Sequence, residues 1–158
     1  KRNNFFTLNT GETQGVSRGM GVFSSHGIVG IIHATSTHYS IVKSVLTSDI
    51  NIDVMIQENG AFGLLKWNGN NPKKGTISGI TNDIKITIGS KVISRGGSGI
   101  FPKGLSVGRV SAVKPIEGKS VWEIELVFSE KYASLQNVYV INNLFRNEML
   151  LIESQKGE

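Results

Sequence analysis

The residues able to do chemistry are few, and their spacing limits what they can do. Ser98 sits in Gly97-Ser98-Gly99, a turn small enough to project a hydroxyl, and His33, His38 and Asp83 precede it in the chain. A nucleophile, a base and an orienting carboxylate are the parts of an acyl-transfer triad. The three histidines, His26, His33 and His38, lie seven and five residues apart, without the close pairs or acidic partners that gather a metal ion. Glu123 and Glu125 are two residues apart on an alternating segment, so both face solvent rather than each other across a cleft. Gly89-Ser90 and Gly96 to Gly99 are glycine-rich, but neither opens a helix with Lys-Ser/Thr, as a phosphate-cradling loop must. The chain has no cysteine, which excludes disulfides, thiolate metal sites and a thiol nucleophile.

The order His, Asp, Ser resembles that of trypsin-like serine proteases, which are also double β-barrels. A trypsin-like periplasmic serine protease is therefore the alternative reading of function. Spacing argues against it. In such enzymes most of the second barrel lies between the Asp and the Ser, whereas here 15 residues separate Asp83 from Ser98. Asp49 and Asp53 are better spaced from Ser98 but follow His33 and His38 too closely. Ile100 and Phe101 also stand directly after Ser-Gly, where a loop of that kind carries glycine. The expectation is a chain that is not an enzyme, with Ser98 a small polar residue of a glycine-rich turn, and with no cofactor, metal or small-molecule substrate.

The elements that would position these residues are strands. The 158 residues include 19 Gly, and short alternating runs rich in β-branched residues recur about every ten positions. Phe5 to Leu8 is a first strand. Gly21 to Ser24 leads through a His26-Gly27 turn into Ile28 to Ile32, and Ile41 to Leu46 follows. In Asn51 to Gln57 the alternation puts Ile52, Val54 and Ile56 on one face, and Asn59-Gly60 turns the chain into Ala61 to Trp67 as the other half of a hairpin. Asp83 to Ile88 alternates with Ile84, Ile86 and Ile88 inward. Lys91 to Ser94 is short, Leu105 to Val113 bends at Gly108, and Val121 to Phe128 sets Trp122, Ile124, Leu126 and Phe128 on one face. Asn137 to Ile141 closes the β part. Phe145, Met149 and Ile152 then fall at helical spacing, predicting a short helix or tail. The segments Gly27 to Ile32 and Leu105 to Val110 share a Val-Gly core about half a chain apart, which favours two similar small barrels over one large one.

Seventeen Lys and Arg against twelve Asp and Glu give a net charge of +5, but the basic residues are scattered and form no stripe interleaved with aromatics. Nucleic-acid binding is not expected. No apolar run approaches the roughly 18 residues of a membrane span. The sequence opens on Lys1-Arg2-Asn3-Asn4 without Met or an apolar leader, so its lack of a membrane segment is weak evidence about anchoring of the natural protein.

The most specific segment is Ile88-Gly89-Ser90-Lys91-Val92-Ile93-Ser94-Arg95-Gly96, followed by Gly99-Ile100-Phe101-Pro102-Lys103-Gly104-Leu105-Ser106-Val107-Gly108. It resembles the signature segment of the rod shape-determining MreC family. Asn4 to Asn9, Gly19 to Val22, Gly27 to Gly30 and Gly60 to Trp67 agree with that family in order, so the resemblance covers about residues 4–141. Ser90, Ser94-Arg95 and Ser106 depart from it at loop and strand-edge positions.

The resemblance implies an all-β fold of two small six-stranded β-barrels packed side by side, as in chymotrypsin, with a short C-terminal tail or helix. The boundaries expected are 1–16 plus 85–145 for a discontinuous first barrel, 17–84 for a second barrel inserted into it, and 146–158 for the tail. It implies a non-catalytic scaffold of the bacterial cell-elongation machinery that maintains cell shape. The implied partners are a penicillin-binding transpeptidase, MreD and other copies of itself, as a homodimer or higher assembly. The implied place is the periplasmic, extracytoplasmic face of the cytoplasmic membrane, with the full-length protein anchored there. A rigid glycine-rich turn presenting apolar groups would suit such contacts, which makes Gly99, Ile100, Phe101, Pro102 and Gly104 the candidate partner or self-association residues. The other reading of Phe101 is as a plug for the end of its own barrel.

Overall fold

A computed structural model of the chain describes residues 4–141 together with 152, 154 and 155. Its described residues form eleven strands and two short 3-10 turns, Glu12–Gln14 and Tyr132–Ser134. Five strands make one sheet: β1 (Phe5–Leu8), β2 (Gly21–Ser24), β3 (Gly27–Thr35), β4 (Ser40–Ser44) and β11 (Tyr139–Val140), in the order β1-β4-β3-β2-β11. The other six close into a barrel: β5 (Ile52–Ile56), β6 (Phe62–Trp67), β7 (Lys74–Ser78), β8 (Lys91–Ser94), β9 (Ser106–Pro115) and β10 (Trp122–Phe128), in the order β10-β7-β6-β5-β8-β9. Every pairing is antiparallel. Among the described residues no helix is long and apolar enough to cross a membrane.

The chain is all-β and built of two β units, one of them a six-stranded barrel. The other is a five-stranded sheet curled round its own small core of Val16, Val22, Val29, Ile32 and Val42. Leu8 on β1 and Val140 on β11 pack on that same core, yet the two end strands do not pair with each other.

The division of the chain differs from the one expected. Residues 85–128 do not return to β1. Val54 pairs with Ser94 and Ile124 with Ile77, so β8, β9 and β10 close the barrel begun by β5, β6 and β7. Phe5 pairs instead with Lys43, and only Tyr139-Val140 comes back to the first sheet, against Phe23 and Val22. The discontinuous unit therefore spans the first fifty or so residues plus β11, and the inserted unit is the barrel over 52–128. Alternation sets which face of a strand is inside but not which distant strand lies beside it. The expected helix or tail over 146–158 lies outside the described residues, except that Ile152, Ser154 and Gln155 are described and the Gln155 amide donates to the Ile152 carbonyl at 3.1 Å.

Strand faces follow the sequence where the alternation is strong. Ile52, Val54 and Ile56 are buried, as are Ile124, Leu126 and Phe128, and Ala61 N–H donates to Asn59 Oδ1 in the Asn59-Gly60 turn. Burying each of these large side chains contributes roughly 1.5–3 kcal/mol. The segment 83–88 forms no strand: Ile86 is buried, but Ile88 is 65% exposed. The adjacent β7 carries Thr76 and Gly75 where an apolar run would mark a strand, and its alternation is correspondingly weak.

The two Val-Gly segments prove to be structural counterparts. A Cβ on Gly30 would lie 2.3 Å from the Lys43 carbonyl oxygen, and one on Gly108 would lie 2.2 Å from that of Val127. Each glycine lets a neighbouring strand come closer than any side chain allows. The ladders also shift register close by, between Val22 and Phe23 opposite Gly30, and between Val92 and Ile93 opposite Gly108.

Candidate functional site

The seam between sheet and barrel is built from side chains of both. Ile28 on β3 is buried among the barrel's core residues, and Phe101, from the loop between β8 and β9, joins the same cluster. Tyr132, just past β10, donates its hydroxyl to the Ile28 carbonyl at 3.0 Å and meets Phe128 edge-on with ring centroids 5.3 Å apart. The residue is half-buried, but its hydroxyl end lies in the packing, and burial followed by the nearby Glu130 charge pushes the phenol well above its usual range. Gly21 opens β2 directly against the loop: a Cβ there would lie 2.5 Å from the Ile100 carbonyl oxygen and 2.8 Å from the Phe101 ring.

The five residues expected to meet a partner are therefore split by the fold. Phe101 is 5% exposed and wedged into the seam. It fills the join between the units, rather than presenting a ring to solvent. Ile100 is half-buried beside it, Gly99 is buried, and Pro102 and Gly104 are exposed. Gly99 (φ 75°) and Gly104 (φ 104°) take left-handed conformations that reverse the chain on either side. The loop is tied by one residue that alternation alone marks as ordinary strand. Ser94, 1% exposed, donates its hydroxyl to the Pro102 carbonyl at 2.6 Å and accepts from Leu105 N–H at 2.9 Å.

Beside this loop the seam opens into an apolar groove of about 500 Å³. Ile31 of β3 and Ile100 form one side, and Phe62 and Leu64 of β6 form the other. Phe62 and Leu64 are 53% and 48% exposed, because Gly63, Leu65 and Trp67 take the inward positions of the same strand. Sequence reasoning passed over them. The signal was there: Phe62, Leu64, Leu65 and Trp67 are apolar on both faces of a strand whose barrel can bury only one. At the rim Arg95 lies with Cζ 3.7 Å above the Phe62 ring and Nη1 3.4 Å from Asp53 Oδ2. The cation–π contact and the ion pair hold the guanidinium over the aromatic ring, leaving a surface with an apolar floor and a charged edge.

The residues weighed for catalysis are dispersed. His33 is exposed on β3 with its ring 5.0 Å from that of Phe5, and His38 is exposed in the turn from β3 to β4. Asp83 is exposed in the loop after β7, and Ser98 Oγ accepts from the Ile100 amide at 3.4 Å. Among the described residues no hydrogen bond joins Ser98 to a histidine or His33 or His38 to a carboxylate. Asp49 bonds Lys43 at 2.7 Å, which holds its carboxyl below the usual range, and Asp53 pairs with Arg95. Glu125 is held low as well, by the Ser111 hydroxyl at 3.0 Å first and then by Lys74 at 3.2 Å. No group of three or more His, Cys, Asp or Glu among the described residues could hold a metal ion.

Comparison with known proteins gives this architecture a family. The family model described as rod shape-determining protein MreC, barrel core, matches residues 1–142. The cell shape-determining protein MreC of Caulobacter vibrioides is 30% identical over 147 residues, covering 92% of this chain and 39% of that protein. The chain spans 37% to 39% of the length of the curated relatives it matches. Among solved structures, MreC from Pseudomonas aeruginosa superposes with a TM-score of 0.83 at 21% identity, covering 89% of this chain and 90% of that one. The complex between penicillin-binding protein PBP2 and MreC from Helicobacter pylori contains a chain that superposes at 0.62 and 22% identity, over 77% of this chain and 75% of that one. At these identities the structural likenesses are likenesses of fold.

Proposed function

The chain belongs to the MreC family, and from that premise we propose that it is a non-catalytic scaffold of the bacterial cell-elongation machinery, acting at the extracytoplasmic face of the cytoplasmic membrane. In this reading it maintains cell shape by contacts with a penicillin-binding transpeptidase, with MreD and with further copies of itself.

The observation that carries the proposal is the groove at the seam. It exposes Phe62 and Leu64 on a rigid closed barrel, beside Ile31 and Ile100, with Arg95 and Asp53 at the rim. Apolar anchors ringed by charge on a preformed surface are how protein contacts gain affinity without ordering cost. That a relative of the same fold has been solved with PBP2 supports a transpeptidase as the occupant. Of Gly99, Ile100, Phe101, Pro102 and Gly104, Ile100 and Phe101 line the groove, with Phe101 setting the loop's position and Ile100 providing contact, while Gly99 and Gly104 turn the chain and Pro102 anchors it on Ser94. Self-association would use the sheet, whose outermost strands among the described residues are β1 and β11 and whose Phe5 is 46% exposed.

The test is binding of this chain to the matching transpeptidase ectodomain by biolayer interferometry. Phe62→Ser and Leu64→Ser should each weaken it about tenfold or more, as truncated anchors do. Unchanged affinity in both variants would remove the groove from the proposal. Hydrolysis of casein that disappears in Ser98→Ala would overturn the non-catalytic reading.

A further inference from the structure

On another part of the seam lies a second cavity of different chemistry, about 330 Å³, between the turn from β2 to β3 and the segment that leaves β10. That volume is at the lower end of the roughly 300–1,000 Å³ of small-molecule sites, and a junction between two units is where such sites tend to occur. Its floor is Glu130, a carboxylate only 8% exposed. The floor is held from both sides. Ser24 Oγ donates to Oε2, Lys131 N–H donates to Oε1 at 2.7 Å, and His26 Nδ1 stands 3.8 Å from Oε2. Burying a carboxylate is costly, and here the cost is offset by donors from two segments that are 106 residues apart.

Above this fixed floor part of the lining is spent, Ser25 on His26 and Ser129 on Ser106, and part is not. The side-chain amides of Gln136 and Asn137 make no internal hydrogen bond among the described residues. Tyr139, 53% exposed, forms one wall, with its ring backed by Phe23 at 5.4 Å and tilted 36°. The wall is thus a braced aromatic face, and the rest of the lining offers amide, hydroxyl, imidazole and carboxylate groups.

Charge and polarity narrow the ligand. A phosphate or carboxylate would meet Glu130, and a cation would meet Lys131, which lines the same cavity. A hydrocarbon would leave the two amides desolvated and unpaired, a loss of about 1–3 kcal/mol for each. What remains is neutral, rich in hydroxyl groups, and apolar on one face. A pyranose ring has that form: its C–H face can lie on Tyr139 while its hydroxyls reach Asn137, Gln136 and the remaining lone pairs of Glu130. We propose that this cavity is a binding site for a neutral hydroxylated sugar ring. The proposal is independent of the scaffold reading and of the apolar groove.

The test is titration of the whole chain with chitotriose, and separately with cellotriose, at millimolar concentration, followed by backbone amide NMR. Saturable shifts centred on His26, Asn137 and Tyr139 with either trisaccharide are expected. Asn137→Ala and Tyr139→Ala should each weaken the response about tenfold, or about 1.4 kcal/mol, without moving the thermal midpoint. Neither side chain contributes to the buried core, so both variants should fold. No saturable shift with either sugar, shifts centred elsewhere, variants that bind as wild type, or displacement of the sugar by inorganic phosphate would each overturn the assignment.

Discussion

Replacing Phe101 with alanine separates the two roles that its sequence allows. A ring exposed as a contact anchor would cost folding almost nothing when removed, and its loss would show only in partner affinity. The structure places the ring 5% exposed in the join between barrel and sheet, within the cluster that includes Ile28 and Val107. Phe→Ala at buried sites costs about 3–5 kcal/mol, from lost transfer energy plus the cavity left behind. Phe101 sits at a seam that can partly collapse, which sets the expectation near the lower end, about 3 kcal/mol. For a chain of this size 1 kcal/mol moves the melting midpoint by roughly 2–4 °C, so the midpoint should fall by roughly 6–12 °C. Guanidinium denaturation with calorimetry measures both. A loss below about 1 kcal/mol together with lost transpeptidase binding would refute the wedge and restore the anchor. Gly21→Ala gives a sharper control. The nearest atom to its new Cβ is the Ile100 carbonyl oxygen at 2.5 Å, which is backbone, with the Phe101 ring next at 2.8 Å. Removing the ring should therefore leave Gly21→Ala destabilising, and full rescue in the double variant would show that the loop backbone is not where the structure puts it.

Ser94→Ala should cost about 1–3 kcal/mol by denaturation, because it strands the Pro102 carbonyl and the Leu105 amide, and it should weaken partner binding through the loosened loop. Phe62→Ser and Leu64→Ser should leave stability within about 0.5 kcal/mol, since both side chains face solvent, which thermal melts would check. Ser111→Ala removes the main cause of the lowered Glu125 pKa, so carboxyl NMR should find that group titrating closer to its usual value. Because that pKa is depressed in the fold, the stabilisation is present above the unfolded value and lost as pH falls through the folded one, and the variant should lose less on acidification. Tyr132 has the opposite sign. Its raised pKa means stability is full below the ordinary phenol value, about 10, and declines above it, so Tyr132→Phe should cost about 0.5–1.5 kcal/mol near neutrality and flatten the alkaline decline in denaturation midpoints.

What could be read from the sequence was local. The faces of β5 and β10 follow from strict alternation at Ile52, Val54 and Ile56 and at Ile124, Leu126 and Phe128, and the Asn59-Gly60 turn follows from its residue types. The glycine-rich run from Gly99 to Gly108 was enough to place the family. The long-range pairings were not legible. Nothing in Lys91 to Ser94 says that its neighbour is β5 and not β1, and the alternation of Ile84, Ile86 and Ile88 is cancelled by tertiary context that leaves Ile88 in solvent. The groove was half legible, through the doubly apolar β6, but the rest of its lining depends on bringing Ile31 and Ile100, far apart in the chain, to one place. Glu130 had no sequence signal at all, because its partner Ser24 lies in the other unit.

The placement of these features explains why a scaffold would need two units and not one. A closed barrel has no free edge and offers partners only its outer side chains, whereas among the described residues the curled sheet ends in β1 and β11, each paired on one side. Joining them makes a third surface, the seam, whose shape belongs to neither. That surface is set by Ile28 and Phe101 within the barrel's core cluster, by the close approaches of Phe101 to Gly21 and of Ser106 to Gly27, and by Tyr132 on the Ile28 carbonyl and Ser24 on Glu130. Because Ile28 of β3 is buried in the barrel's core cluster, a shift at the seam that moved Ile31 relative to Phe62 would be felt in the packing of both units. Partner affinity at the groove should then respond to seam substitutions remote from it. Ser24→Ala, which removes one donor from the buried Glu130 without touching Phe62 or Leu64, should lower transpeptidase affinity and cost about 1–3 kcal/mol of stability by thermal melts. If affinity tracks only the residues lining the groove, the seam is rigid and the two units act as one body.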